Sequence, residues 1–358
     1  MNAHLMSDLT LTSLHSDASA KERLQACAQA GVFKHAIDEL WGGVGDDFLG
    51  LSKAYEYLGK KTRDPGLILA VNAHVWGSIF PLLRFGTDAQ KETILPKLIQ
   101  GEMLAGHAIT EPQAGSDTQA METRAMEQEG GFVLNGCKRY ITNTPIADML
   151  VIYAKHKDAI SAFLVYADDV GASFSDEHTV QACMTASMGD VILDDCYIPK
   201  DRLLGKAGAG NLMIHLALEL ERAFIFSGIV GVMQWQLDEV VRFARSRQVK
   251  GQDLSNFQAI SHRIAEMKLR LETVRLWIDK CANHCNRKKR ITIESAATKW
   301  YASEAFLSSC LDSVHIFGAK GLEGEHVQLV QDAMAGRLFS GSTELQKNII
   351  ATMLGMKG

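Results

Sequence analysis

Up to about residue 107 the apolar positions recur at three- and four-residue spacing, most clearly in 20–30 (AKERLQACAQA), 49–60 and 88–100. That is the period of an amphipathic helix, so the first part of the chain is predicted to be helical. Asp88 and Pro96 punctuate the third of these segments, and DELWGGVGDD supplies a glycine-rich turn between helices. From about residue 131 the pattern changes. GFVLNGCKRYITNT, DMLVIYAK, ISAFLVYADD and GDVILDDCYIP are short, rich in Val, Ile, Tyr and Phe, and broken by turn residues. They predict a β domain of about 90 residues with hairpin-like connections.

Beyond Gly210 helical patterns return and lengthen, over 211–246, 255–285, 292–316 and 342–354, with a shorter one at 325–334. The first is apolar nearly all round near Ala217–Val232, which marks a helix buried among others. The order predicts an α+β fold: an N-terminal helical domain (1–107), a central β domain (108–207) and a C-terminal antiparallel helical bundle (208–358).

Composition narrows the function classes. A chain of 358 residues, 47% hydrophobic and 22% charged, can bury a large core or build two or three packed domains. The net charge of −5 and the lack of a dense basic block make nucleic acid a poor partner. The one cluster, Arg287-Lys288-Lys289-Arg290, falls between helical patterns and reads as a solvated loop. Seven cysteines without regular spacing argue for a reducing compartment. Cys281, His284 and Cys285 share a helical face at a spacing that could bind a metal. No second ligand pair stands near them, so an apolar helix face is the reading adopted, and no metal is expected. The opening residues, MNAHLMSDLTLTSL, show neither an Arg-rich leader nor a basic segment followed by an apolar one. No apolar run is read as reaching the roughly 20 residues of a membrane span, and a cytoplasmic protein without membrane insertion is expected.

Three stretches carry candidate chemistry. AITEPQAGSD (108–117) sets Gly115, which permits close backbone approach, among the small hydrogen-bonding residues Thr110, Ser116 and Asp117. LNGCKRYITNTPIAD (134–148) places Tyr140 two residues before Thr142. FSGSTELQKNII (339–350) has the N-cap types Ser342 and Thr343 ahead of a short amphipathic run, a helix start whose backbone N–H groups can face an anion or carbonyl.

Together the first two resemble the signature segments of the acyl-CoA dehydrogenase family, TEPxAGSD and NGxKxxITNxxxAD. The resemblance extends to LRFGTDAQKETILPKLIQGE (83–102), IPKDRLLGKAGAG (198–210), IFGAKGL (316–322) and GSTELQKNIIA (341–351), and covers nearly the whole chain from about residue 20. It implies a helical domain, a central β domain and a C-terminal four-helix bundle, assembled as a homotetramer or a dimer, with non-covalent FAD. By motif position Thr110, Gly115 and Ser116 line the flavin, with Ser116 near the thioester or pyrophosphate. Tyr140 stands in for the usual tryptophan beside the isoalloxazine, and Thr142 bonds near flavin N5. Arg247 matches an arginine that reaches the FAD of a neighbouring subunit. Gln258, His315, Gly318, Ser342 and Glu344 complete the cofactor set that the resemblance implies.

In many members of that family a glutamate precedes the glycine of the third stretch and removes the substrate α-proton. Here the residue is Ser340, whose neutral hydroxyl cannot act as that base unaided. Its backbone N–H can still help to polarise a thioester carbonyl. The helix IHLALELERAFIFSG offers two carboxylates instead. Glu219 has Arg222 three residues ahead and His215 four behind, so it can be paired on its own face. Every i±3 and i±4 neighbour of Glu221 is apolar: Ala217, Leu218, Phe224 and Ile225. A carboxylate there would be desolvated and its pKa raised, which suits a base, although a satisfied structural glutamate fits the period equally well. In the isovaleryl- and long-chain-type branches that the chain resembles, the base comes from this helix just before an arginine, which selects Glu221. Ser116, Glu219, Arg222 and Phe339 are then expected near the substrate.

The chain departs from the family pattern at Lys250, where phenylalanine is common beside the adenine, at His315 for glutamine and at Ala319 for glycine. Gln331 also interrupts the arginine–aspartate pair before Asp332. The implied activity is α,β-dehydrogenation of an acyl thioester of coenzyme A or a carrier protein. Electrons would pass to an electron-transfer flavoprotein or a similar acceptor. A flavin oxidase or oxygenase, or a non-catalytic flavin-bearing interaction protein, are the competing readings.

Overall fold

The computed structural model describes residues 18–356. The opening stretch inspected above for a leader lies outside the described residues. Chain contacts divide the described residues into two compact units: 18–46 with Leu69–Val180 and Met184–Glu221, and Asp47–Ile68 with Gln181–Cys183 and 222–356.

Among the described residues the first unit begins with α1 (Ala20–Gln29), started by a capping box in which Ser19 and Glu22 satisfy each other's backbone N–H groups. The chain runs later through α3 (Pro65–Phe85), which belongs to this unit from Leu69 onward, and α4 (Asp88–Gln100). In α4 the cap is Thr87, bonded reciprocally with Gln90, and the helix continues through Pro96 instead of breaking there. The sequence pattern did not reveal α3. It is a 21-residue helical run apolar enough to cross a membrane, which corrects the expectation that no such run exists, but 89% of its window is buried within the protein. An all-round apolar helix has no polar face and hence no visible period. Within it, Val75–Ile79 form a π-turn that begins just after His74.

The sheet of this unit has eight strands: β1 (Ala105–Ala108), β2 (Arg124–Gln128), β3 (Gly131–Thr142), β4 (Met149–His156), β5 (Ala159–Tyr166), β6 (Ala172–Phe174), β7 (Met188–Pro199) and β8 (Leu203–Leu204). Their order is β6-β7-β3-β2-β4-β5-β8, with β1 parallel to β4. β2–β3 and β4–β5 are antiparallel pairs of consecutive strands, as the hairpin reading anticipates, whereas the long antiparallel ladder β3–β7 joins strands far apart in the chain. The parallel pairings of β1 and β2 with β4 lie outside that reading. One buried cluster covers a sheet face, with Phe132 edge-on to Phe163 at 5.1 Å. His74 ties the helices to the sheet. Its Nε2 lies 3.0 Å from the Leu98 carbonyl, and its Nδ1 accepts the Ala105 N–H at 3.1 Å. Burial lowers its pKa to about 4, so the ring is a neutral structural strut at the root of β1.

A long helix, α5 (Gly210–Ser246), carries the chain out of the first unit, which ends at Glu221. The second unit holds α2 (Phe48–Thr62), the rest of α5, α6 (Gln258–Asn286), α7 (Thr292–Phe317), α8 (Glu325–Ala335) and α9 (Thr343–Met353). These bounds match the predicted helices to within a few residues. α6 and α9 pack along α7, and α2 packs on α6. Where α2 crosses α5, a Cβ on Gly59 would sit 1.7 Å from the Gly228 carbonyl oxygen, so the two backbones touch at glycine. The basic run Arg287–Arg290 forms the exposed turn between α6 and α7.

Candidate active site

In the first unit the two signature stretches are joined by a buried ion pair. Lys138 Nζ lies 2.7 Å from Glu111 Oε1 and also donates to the Ile109 carbonyl at 3.1 Å. Glu111 in turn accepts the backbone N–H groups of Glu122 at 2.5 Å and Thr123 at 3.0 Å. Burial alone would raise the Glu111 pKa, but the Lys138 charge and these N–H bonds outweigh it and bring it to about 2. Beside the pair, the N–H of Arg139, the residue after Lys138, bonds the carbonyl of Thr110, the residue before Glu111, at 2.9 Å. Both members of the pair stand inside the quoted motifs, yet their contact was not legible there.

This clamp sets Tyr140. The β3–β7 register slips between Lys138 and Ile141, and Tyr140 takes a left-handed backbone, φ 56°, that few bulky residues adopt. Its N–H donates to Asp190 Oδ1 at 3.1 Å, and the same oxygen meets His178 Nε2 at 2.7 Å. The Tyr140 ring lies 5.3 Å from the His178 ring and 54% of the residue is exposed. Asp190 and His178 were not singled out from sequence. Partial burial pushes the Asp190 pKa up, but the His178 bond and the Tyr140 N–H hold it below the usual carboxylate value. Ser116 is exposed, Thr142 is half-buried at the end of β3, and a Cβ on Gly115 would meet nothing within 4 Å. Any close approach at Gly115 has to come from a group outside the chain.

Of the two candidate carboxylates, Glu219 is half-buried and Glu221 is 6% exposed. Ala217, Phe224 and Ile225 around Glu221 are buried, as the period predicts. The neighbour that the period does not show is His107 in β1, whose Nε2 lies 3.9 Å from Glu221 Oε2. Burial lowers the His107 pKa, and the Glu221 charge offsets only part of that. The one clue in the sequence is a histidine alone in the small-residue strand AGHA, directly before the first signature.

In the second unit Arg222 reaches the third stretch. Its Nε donates to the Ser340 carbonyl at 3.0 Å, and Gln346 Nε2 bonds that oxygen at 3.3 Å and the Gly341 carbonyl at 2.8 Å. Ser340 is held at φ 55° and Gly341 at φ 91°, so the chain turns sharply into α9. Ser342 is the N-cap, its hydroxyl accepting the Leu345 N–H, while Thr343 is the first helical residue. The residue's own backbone N–H, and then the Ser342 hydroxyl, lower the pKa of the exposed Glu344. The Phe339 ring lies 5.9 Å from that of Phe226 and 6.0 Å from Lys299 Nζ. Lys299 is fully buried; that burial, then the Arg222 charge, lowers its pKa to about 7. Sequence reading passed over it.

The remaining predicted cofactor residues of this unit are exposed and lie elsewhere. Arg247 precedes the hairpin β9 (Gln248–Val249) to β10 (Gln252–Asp253), turned by Lys250 at φ 50° and Gly251 at φ 78°. Gln258 opens α6. His315 and Gly318 end α7, where Gly318 at φ 64° has open space around it. The Phe243 ring lies 4.5 Å from that of Phe317, tilted by 34°, which brings the ends of α5 and α7, and so Arg247 and His315, to one end of the bundle. Among the described residues no group of three His, Cys, Asp or Glu could hold a metal; Cys281 Sγ instead contacts Thr298 Oγ1 at 3.2 Å.

Comparison with known proteins gives three domain matches, described as acyl-CoA dehydrogenase N-terminal domain over residues 11–102, middle domain over 106–196 and C-terminal domain over 208–355. The chain is 34% identical to an L-prolyl-[peptidyl-carrier protein] dehydrogenase of Pseudomonas fluorescens, over 95% of this chain and 92% of that one. Among solved structures it resembles the prolyl acyl carrier protein oxidase AnaB, with a TM-score of 0.94 and 35% identity over 97% of this chain and 96% of that one. It also resembles PigA solved with FAD and proline, with a TM-score of 0.93 and 31% identity over 99% and 94% of the two chains.

Proposed function

Because the chain belongs to the acyl-CoA dehydrogenase family, its three domain matches running from residue 11 to residue 355, we propose that it catalyses FAD-dependent α,β-dehydrogenation of an acyl thioester. The observation that carries the reading is Glu221, a carboxylate 6% exposed on a helix whose flanking turns are apolar. Removing the α-proton of a thioester needs a poorly solvated carboxylate, and Ser340 cannot supply one. Glu221 is that base. Ser340 contributes its backbone N–H to the thioester carbonyl, and Arg222 fixes the Ser340 turn from the carbonyl side. Ser116, Glu219 and Phe339 are the further substrate contacts.

The residues fit a flavin. Thr110, Gly115, Ser116, Tyr140 and Thr142 would hold it. Arg247, Gln258, His315, Gly318, Ser342 and Glu344 are the other residues we assign to FAD. The exposed Tyr140 ring, and the open space at Gly115 and Gly318, are what a bound planar group and its phosphate arm would use. When bound, FAD supplies the acceptor for the β-hydride.

Within thioesters, a carrier-protein substrate bearing proline or a similar ring amino acid comes first, since relatives named for prolyl-carrier chemistry are 34% and 33% identical to this chain. Electrons go to an electron-transfer flavoprotein or a similar acceptor. A second reading, direct oxidation by O₂, is favoured by the 35% identity to a protein described as an oxidase. The assembly is a cytoplasmic homo-oligomer, a tetramer or a dimer, in which Arg247 serves the FAD of a neighbouring subunit.

Anaerobic rapid mixing of the FAD-loaded protein with prolyl-carrier and acyl-CoA thioesters tests the reading. Bleaching of the flavin by one thioester class is expected, and none by any thioester would sink it. Admitting O₂ then decides the acceptor: rapid reoxidation selects the oxidase, slow reoxidation the dehydrogenase.

A further inference from the structure

We propose that His107 is a positioning residue for Glu221: its neutral imidazole orients the carboxylate and favours the ionised form that can take a proton. The inference deepens the reading of Glu221 as the base and rests on it. Three observations carry it. His107 Nε2 lies 3.9 Å from Glu221 Oε2, so a small rotation of either side chain brings N–H to oxygen. The strand that carries His107 is fixed on both sides, paired with β4 at Val151 and bonded through the Ala105 N–H to His74. The ring also has space made for it, because a Cβ on Gly77 would fall 2.9 Å from the His107 backbone nitrogen and 3.0 Å from the ring Cγ. Gly77 lies in the π-turn Val75–Ile79, a distortion frequent at functional sites.

The choice of histidine follows from what a base needs. A lysine or arginine here would stabilise the carboxylate so strongly that it became a weak base. A phenylalanine would bury it without any donor. Imidazole kept neutral by burial lies between these limits, with the N–H on Nε2 offering a dipole to the anion and no full charge. The other ring nitrogen, Nδ1, is buried without a hydrogen-bond partner among the described residues, a cost not expected of a residue chosen for packing. Glu219, Arg222 and the exposed His215 lie on the same helix as Glu221. α3 carries His74, bonded to Leu98 and Ala105, and the exposed Arg84, and Val151 faces His107 from β4.

The test uses the FAD-loaded protein with His107→Phe, His107→Gln, Gly77→Ala and Glu221→Gln. Infrared difference spectra against pH follow the protonated-carboxyl stretch of Glu221, identified as the band that Glu221→Gln removes. The midpoint is expected to rise by about one pH unit in His107→Phe, as loss of a hydrogen bond to the anion implies. It should return toward wild type in His107→Gln, which restores an N–H. Gly77→Ala, which crowds the ring without removing it, should shift the midpoint in the same direction and serves if the phenylalanine variant does not fold. The acid limb of flavin reduction by prolyl and butyryl thioesters of pantetheine should move in parallel. Unchanged midpoints in the folded His107 and Gly77 variants, whatever their melting temperatures, would overturn the proposal. Undiminished flavin reduction by Glu221→Gln would instead remove Glu221 as the base, while the infrared midpoints still decide whether His107 controls its ionisation.

Discussion

Lys138 and Glu111 form a 2.7 Å ion pair whose side chains are 0% and 1% exposed, and it fastens the two signature stretches to each other. Without a partner either charge would be stranded in the interior. Lys138→Met is therefore expected to destabilise the apo-protein by about 3–5 kcal/mol. The double variant Glu111→Leu with Lys138→Met should recover most of that loss, since no lone charge remains. Urea unfolding followed by circular dichroism measures both, and a single variant as stable as wild type would show that the pair is not a clamp.

The same pair sets a pH dependence. The folded pKa of Glu111 is about 2 against about 4.5 for an ordinary glutamate. Its contribution is fully present above pH 4.5 and is lost as pH falls toward 2, because the unfolded chain takes up the proton first. Wild type should thus lose stability through this window more steeply than Glu111→Gln. Parallel curves of melting temperature against pH for the two proteins would contradict the assignment.

Lys299 gives a slope of the opposite origin. Its folded pKa of about 7 lies below the ordinary 10.5, so between these values the unfolded chain binds more protons and stability rises with pH. Below pH 7 both states are protonated and the burial penalty is felt in full. Replacing this buried charge by Lys299→Met is expected to stabilise the apo-protein by about 1–4 kcal/mol at pH 6. The gain should shrink as pH approaches 10. A loss of stability at pH 6 would mean that the neighbouring Glu304 and Glu344 charges compensate the ammonium better than its burial suggests.

The long helices were legible because each alternates a buried stripe with a polar one, or, like α5 around Ala217–Val232, is apolar over many turns with clear ends. α3 is just as apolar, but its π-turn and the absence of a polar face hid both its period and its bounds. β1 spans only four residues, three of them small beside His107, and β2 is exposed at four of its five positions, so neither shows the alternation of a half-buried strand. In the candidate site, motif position and helical period bring Tyr140, Arg222 and Glu221 forward as candidates. His107, Lys138, His178 and Lys299 act through partners distant in the chain, and no local pattern reports such a pairing.

Glu221 carries the last prediction. Glu221→Gln keeps the shape and the space of the side chain but leaves an amide with no proton-accepting lone pair of useful basicity at working pH. If Glu221 removes the α-proton, flavin reduction by a reactive thioester should slow by about 10²–10⁴-fold, the usual reach of general-base catalysis. FAD content should hardly change, because none of the residues assigned to the cofactor is altered. Ser340→Ala should be far milder, since only the backbone N–H at that position is asked to act and the Arg222 and Gln346 bonds go to the carbonyl. Glu219→Gln should weaken binding more than chemistry, raising the thioester concentration needed for half-maximal reduction while leaving the limiting rate near wild type. Anaerobic stopped-flow reduction across a concentration series separates these effects. Near-normal limiting reduction in the Glu221 variant, with collapse in the Ser340 or Glu219 variant, would place the base elsewhere.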